Sequence, residues 1–259
     1  MSTVLTLQKC FAIAVFGAGV LSAQPACLTA TLDTYLALGA TGCTITATTP
    51  PPASNTVTIL FYDFQFKTVS ATAPAATDLL VTPLTDQFGI GFQVTPQAVP
   101  WSPSGNSTQD DEIQYLVKTN CGVCVTAPDW PGIDRLYSEL QGTFTPPADK
   151  TSRIVEVFCP GGTSLPPDSL CPGANGAAQT IFVGPSVPFA GTQVFFTPGA
   201  YTPGLSGDCT TYAGRCVYPS IAVLKDIGAN TTMGGTATIT KVKNEVGPPT
   251  RKTTCSCGG

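Results

Sequence analysis

The segment Thr56-Val-Thr-Ile-Leu-Phe-Tyr-Asp-Phe-Gln-Phe-Lys67 places Leu60, Tyr62, Phe64 and Phe66 on one side of an extended chain and Phe61, Asp63, Gln65 and Lys67 on the other. A period of two over that length marks a half-buried β-strand, and so aromatic a strand needs a sheet around it and a second layer over its apolar face. Shorter stretches of the same character follow at 88–95, 112–119, 153–159, 179–184, 192–197, 220–227 and 235–242. Charged residues make up only 11% of the chain, while Gly (26) and Pro (24) are abundant, which suits short strands joined by turns and disfavours a helical bundle. The expected fold is mostly β, an antiparallel β-sandwich or barrel-like domain.

Two short helices are expected among the strands. Leu28, Leu32, Tyr35 and Leu36 share a helical face that Gly39 can terminate. Ile133, Leu136, Tyr137 and Leu140 repeat that spacing between Pro131 and Gly142 and predict a second helix. The Pro-rich stretch 48–55 reads as an extended connection, and 142–150 is the one place where the chain could divide.

The amino terminus reads as a signal peptide. Lys9 is its only charge, the apolar run 10–20 follows, and Leu21-Ser22-Ala23 supplies the small residues a signal peptidase requires. Cleavage is expected after Ala23, which divides the chain into a leader at 1–23, a single β-rich domain at 24–246 and a tail at 247–259. A lipoprotein would carry Cys where Gln24 stands. The apolar run is also shorter than the roughly 20 residues a spanning helix needs, so no membrane association is expected once the leader is removed. Secretion is the expected destination, with the periplasm as the alternative.

Export changes the meaning of the cysteines. Cys10 lies in the leader, and ten of the 11 cysteines remain, an even number suited to full pairing in an oxidising compartment. Cys27 and Cys43 flank the first helix, and Cys159 with Cys171 and Cys209 with Cys216 each close a loop, so three staples are expected there. A bond within Cys255-Ser256-Cys257 would be strained, which assigns these two to Cys121 and Cys124. The domain is therefore expected to be disulfide-stapled.

The absence of His in the whole chain removes Ser-His-Asp and Cys-His catalysis, the usual His-containing zinc sites and imidazole acid–base chemistry. Two enzymatic alternatives survive. Cys121-Gly122-Val123-Cys124 has the spacing of a thiol–disulfide oxidoreductase, although Val125-Thr-Ala-Pro128 does not suit the helix that normally activates the first thiol. Glycoside hydrolysis needs only two carboxylates, but none of the 16 acidic residues is singled out by a motif. Asp110-Asp111-Glu112 offers hard oxygen ligands for calcium, yet neighbours leading into a strand point to opposite faces and cannot converge on one ion. No metal site or cofactor is assigned.

The formal charge of −4 becomes −5 without Lys9 and argues against nucleic acid as a partner. The charge is unevenly spread: six basic and two acidic residues lie from Arg215 onward, against five and 14 between Gln24 and Gly214. Trp101 and Trp130, each beside prolines, are the aromatic surfaces on which a sugar ring could stack, unless they are buried as loop anchors.

Several segments resemble exported bacterial proteins, common in acidobacteria, that often carry a PEP-CTERM sorting signal. The likeness rests on Cys27 with Leu32-Asp-Thr-Tyr-Leu-Ala-Leu-Gly39 and Gly42-Cys-Thr-Ile45, on the strand of Phe61, Phe64 and Phe66, and on Phe88-Gly-Ile-Gly-Phe92. It recurs in Ala222-Val-Leu-Lys-Asp-Ile227 and Gly234-Gly-Thr-Ala-Thr-Ile239. The resemblance implies export and carries no catalytic motif. Residues 245–259 show no Pro-Glu-Pro motif with an apolar stretch and a basic end, so covalent sorting of that kind is not expected. The expected function is that of an exported, non-catalytic structural or adhesive module contacting cell-surface or matrix polysaccharide; the alternative is one of the two enzymes above.

Overall fold

The computed structural model describes residues 24–48, 56–119, 132–162, 179–184, 189–195, 210–212 and 215–247. The first elements are β1 (Ala30–Thr31), α1 (Leu32–Leu36), β2 (Cys43–Thr48), β3 (Thr56–Thr68), β4 (Leu79–Thr85), β5 (Ile90–Pro96) and β6 (Thr108–Thr119). They are followed by β7 (Arg135–Thr145), β8 (Arg153–Pro160), β9 (Gln179–Val183) and β10 (Phe189–Phe195). The last are β11 (Thr210–Tyr212), β12 (Arg215–Val217), β13 (Ser220–Asn230) and β14 (Thr236–Gly247). One sheet has the order β2-β3-β6-β13-β8-β9 and the other β1-β4-β5-β14-β7-β10, while β11 and β12 form a separate ribbon. The strand pairs are antiparallel and both large sheets are open. Their inner faces meet in one apolar core, so the fold is a β-sandwich.

The centre of that core is aromatic. Phe92 packs edge-on against Tyr35 (5.3 Å), Phe61 (4.6 Å) and Phe64 (5.7 Å), and Tyr115 stacks on Phe64 at 5.4 Å. Tyr35 is the contribution of α1, and its hydroxyl donates to the Leu28 carbonyl at 2.6 Å. The helix is shorter than expected, and Leu28 lies outside it and exposed. Cys27 and Cys43 are joined across this corner, closing a separation of 16 residues. Replacing both by Ala is expected to cost about 3 kcal/mol, the entropy of a loop of this size, read as a lower denaturation midpoint in urea.

Strand β3 departs from simple alternation. Its pairing with β6 slips by one residue between Tyr62 and Gln65, and Asp63 adopts a left-handed φ of 52°. The bulge reverses the phase, so Phe61 and Phe64 both face the core although three positions apart. Tyr62 instead joins Leu116, Cys159 and Ala222 on the far side of the sheet. The expectation that Phe61 opposes Phe64 is corrected accordingly.

The second helix is also corrected: Arg135–Thr145 is a strand. Leu136, Ser138 and Leu140 point inward, and the chain pairs with β14 on one side and β10 on the other. Two full ladders of backbone hydrogen bonds outweigh a helical spacing that four apolar residues also satisfy. Strands on both sides of the joint at 142–150 enter each large sheet.

A second bulge lies in β14. Its register slips between Ile239 and Lys241, so Ala237 and Ile239 face inward before the slip, and Val242 and Val246 after it. Asn244 is thereby turned into the sandwich, with Lys243 and Glu245 on the outside.

Candidate functional site

Charged and polar side chains collect at three places, one inside the sandwich and one on each outer face. The interior group is built from alternation itself. In β13, Ile221, Val223, Lys225 and Ile227 share the inner face, and in β8 so do Ile154, Glu156 and Phe158. Lys225 and Glu156 are paired neighbours on these strands, at 2% and 0% exposure. Lys225 Nζ donates to Glu156 Oε2, to Ser138 Oγ at 2.7 Å and to the Lys243 carbonyl at 3.3 Å. Asn244 Nδ2 donates to the other carboxylate oxygen, Glu156 Oε1, and to the Tyr137 carbonyl at 3.2 Å. Lys225 and Glu156 belong to one sheet, Ser138 and Asn244 to the other, so the network ties the two layers together. Burial pushes the Lys225 ammonium below its usual range, against the pull of the Glu156 carboxylate. Asn244 Oδ1 is buried and accepts no hydrogen bond among the described residues. Sequence reasoning singled out none of these residues; the signal was a charged residue in phase with apolar alternation, at Lys225 and again at Glu156.

On the outer face of the β2-to-β9 sheet, Thr108, Asp110, Thr151, Arg153, Asp226 and Asn230 border an open groove. Gly228 lies between Asp110 of β6 and Arg153 of β8 in the register, and its missing side chain leaves the floor clear. Burial, then a hydrogen bond and charge repulsion from Asp110, raise the Asp226 carboxyl to about 8, with Arg153 opposing. Arg153 also sits over the ring of Phe182, 5.5 Å from its centre, and that ring is 59% exposed.

The outer face of the other sheet holds a second acidic group. Tyr137 donates to Glu139 Oε2 at 2.7 Å and Gln141 to Oε1 at 2.6 Å. Lys243 Nζ reaches Asp86 at 3.5 Å and Glu139 at 3.6 Å. Phe88 stacks on Tyr137 with centres 4.1 Å apart. Glu245 is almost fully buried in this group, and its burial, then the nearby Asp86, raise its carboxyl to about 8.

The residues expected from sequence fall in separate places. Asp110, Asp111 and Glu112 lie within β6, which begins at Thr108, ahead of the strand expected from 112. Asp111 points into the core, Asp110 and Glu112 outward, and Glu112 pairs with Lys67 at 3.3 Å. No three acidic, Cys or His side chains converge on a metal position among the described residues. Trp101 is corrected as a sugar platform: it is fully buried, and its Nε1 donates to Asp111 Oδ2 at 2.7 Å. The inward carboxylate of β6 supplies the acceptor that lets the whole indole leave the surface. Burial, against the Trp101 hydrogen bond, raises the Asp111 carboxyl to about 7. Cys159 is disulfide-bonded. Its expected partner Cys171, along with Cys121, Cys124, Cys209, Cys255, Cys257 and Trp130, lies outside the described residues, as does the side chain of Cys216 in β12.

Among the described residues no helix is long and apolar enough to cross a membrane. Comparison with family models, curated proteins and solved structures finds no match for this chain.

Proposed function

We propose that this chain is an exported, non-catalytic module with a structural or adhesive role at the cell exterior, contacting polysaccharide through the outer groove of the β2-to-β9 sheet. The observation that carries this assignment is the exposed Phe182 ring with Arg153 above it, since Arg153 also borders a groove lined by hydroxyl, amide and carboxylate groups. An aromatic face beside convergent polar groups is how proteins hold sugar rings, and Phe182 takes the part that Trp101, being buried, does not. Export is supported by the leader at 1–23, by the Cys27–Cys43 bond and by the resemblance to exported acidobacterial proteins.

Glycoside hydrolysis fits the groove less well. Asp110 crowds Asp226 closely enough to raise its carboxyl, whereas the two carboxyl groups of a glycosidase stand about 5 Å apart or more, with the sugar between them. A glycan array probed with residues 24–259 is the test. Retention of one or more polysaccharides without release of reducing ends is expected, together with roughly tenfold weaker binding by Phe182→Ala, the loss of about 1.4 kcal/mol. Turnover of a bound glycan would establish the hydrolase, and rapid disulfide exchange by native protein would establish the oxidoreductase. Binding that survives Phe182→Ala unchanged would remove this face from consideration.

A further inference from the structure

We propose that Lys225 and Asn244 become joined by an isopeptide bond through the middle of the sandwich, with Glu156 carrying the protons. The three side chains are 2%, 4% and 0% exposed, and the Glu156 carboxylate holds the amine on one oxygen and the amide nitrogen on the other. Lys225 Nζ also rests on the carbonyl of Lys243, the residue bonded to Asn244, so nucleophile and acceptor are brought together by backbone as well as side chain. Both line a cavity of about 20 Å3 walled by Phe64, Phe92, Ile113, Tyr115 and Val242, room for one molecule the size of water or ammonia.

The chemistry follows from this placement. Lys225 passes a proton to Glu156 and becomes a neutral amine, a transfer favoured by burial, which disfavours the ammonium. The amine lone pair adds to Asn244 Cγ, and the C=O electrons move onto Oδ1, which accepts no hydrogen bond among the described residues. Glu156, within reach of both nitrogens, gives its proton to Nδ2 and takes one from Nζ. The Oδ1 electrons then re-form the C=O bond as the Cγ–Nδ2 bond breaks, and ammonia departs with that bond's electron pair. Amine plus primary amide have become secondary amide plus ammonia, with Glu156 left protonated against the new bond. No oxidant or cofactor is involved. Holding both partners on one carboxylate replaces a bimolecular encounter with an intramolecular one. The product also exchanges a buried ion pair, which is costly to desolvate, for neutral groups.

Peptide mapping of the folded protein by mass spectrometry tests the bond. A branched peptide joining the segment around Lys225 to the segment around Asn244 is expected, with tryptic cleavage lost at Lys225 and the mass lower by one ammonia. The branched peptide is the readout because an amino-terminal Gln24 would also lose ammonia on cyclising. Asn244→Ala should abolish the branch. Asn244→Asp should retain it at the same mass as in the wild type, since the bond then forms with loss of water. Recovery of only linear peptides, cleaved after Lys225 and carrying an intact Asn244, from wild-type protein shown to be folded by circular dichroism overturns the proposal.

Discussion

Glu156→Ala is expected to lower the free energy of unfolding by about 3–5 kcal/mol, the cost of leaving one member of a buried ion pair uncompensated. Lys225 would keep only Ser138 Oγ and the Lys243 carbonyl, in a site with 2% exposure, and Asn244 Nδ2 would lose a charged acceptor. Failure of the Lys225–Asn244 bond to form in this variant acts in the same direction. The comparison that makes the effect specific is Glu112→Ala. Its partner Lys67 is 63% exposed, and surface pairs of that kind contribute about 1 kcal/mol or less. Urea denaturation of both variants should therefore separate them clearly. Equal and small losses would mean that the interior carboxylate is dispensable to the packing of the two sheets.

The difference between those two glutamates also shows what the sequence discloses. Alternation located most strands, because an inward residue at every second position is the condition for covering a sheet. It also foretold that Asp110 and Glu112 would face away from Asp111. It failed where the backbone departs from a plain pleat. The bulge at Asp63 reverses the phase of β3, and the slip between Ile239 and Lys241 turns Asn244 inward; each depends on pairing with a strand distant in sequence. The segment 133–140 fits helical spacing and β alternation alike, and only its position between β14 and β10 decides between them. Trp101 was legible as an aromatic in a Pro-rich loop, but its burial depends on an acceptor, Asp111, aimed at it from β6. The interior network was the least legible part. Its members come from β7, β8, β13 and β14, and it exists only once two sheets have met.

Stability is expected to fall as the pH rises from about 5 to about 9, by on the order of several kcal/mol in sum, with the highest melting temperature at the acidic end. Three carboxyl groups carry this expectation. Burial raises Asp111 to about 7 despite the hydrogen bond from Trp101. Asp226 rises to about 8 through burial and then Asp110, with Glu112 adding and Arg153 opposing. Glu245 rises to about 8 through burial and then Asp86, with Lys243 opposing and Glu139 adding. Each folded value lies above the unfolded one near 4, so the native state binds the proton more tightly than the unfolded chain does. Their stabilising contribution is complete below about pH 4 and is lost as the pH climbs through 7 to 8, where the native state must ionise buried carboxyls that ionise freely once exposed. Lys225 as a free amine runs the other way, because burial lowers its pKa, whereas its amide with Asn244 does not titrate. The difference between wild type and Glu245→Gln, or wild type and Asp226→Asn, isolates the carboxyl contribution. Each variant should melt near the wild-type temperature at about pH 5 and above it at about pH 9, where it has no charge to bury. A variant that tracks wild type across the whole range would mean that the carboxylate it replaces ionises in the native state as freely as in the unfolded chain.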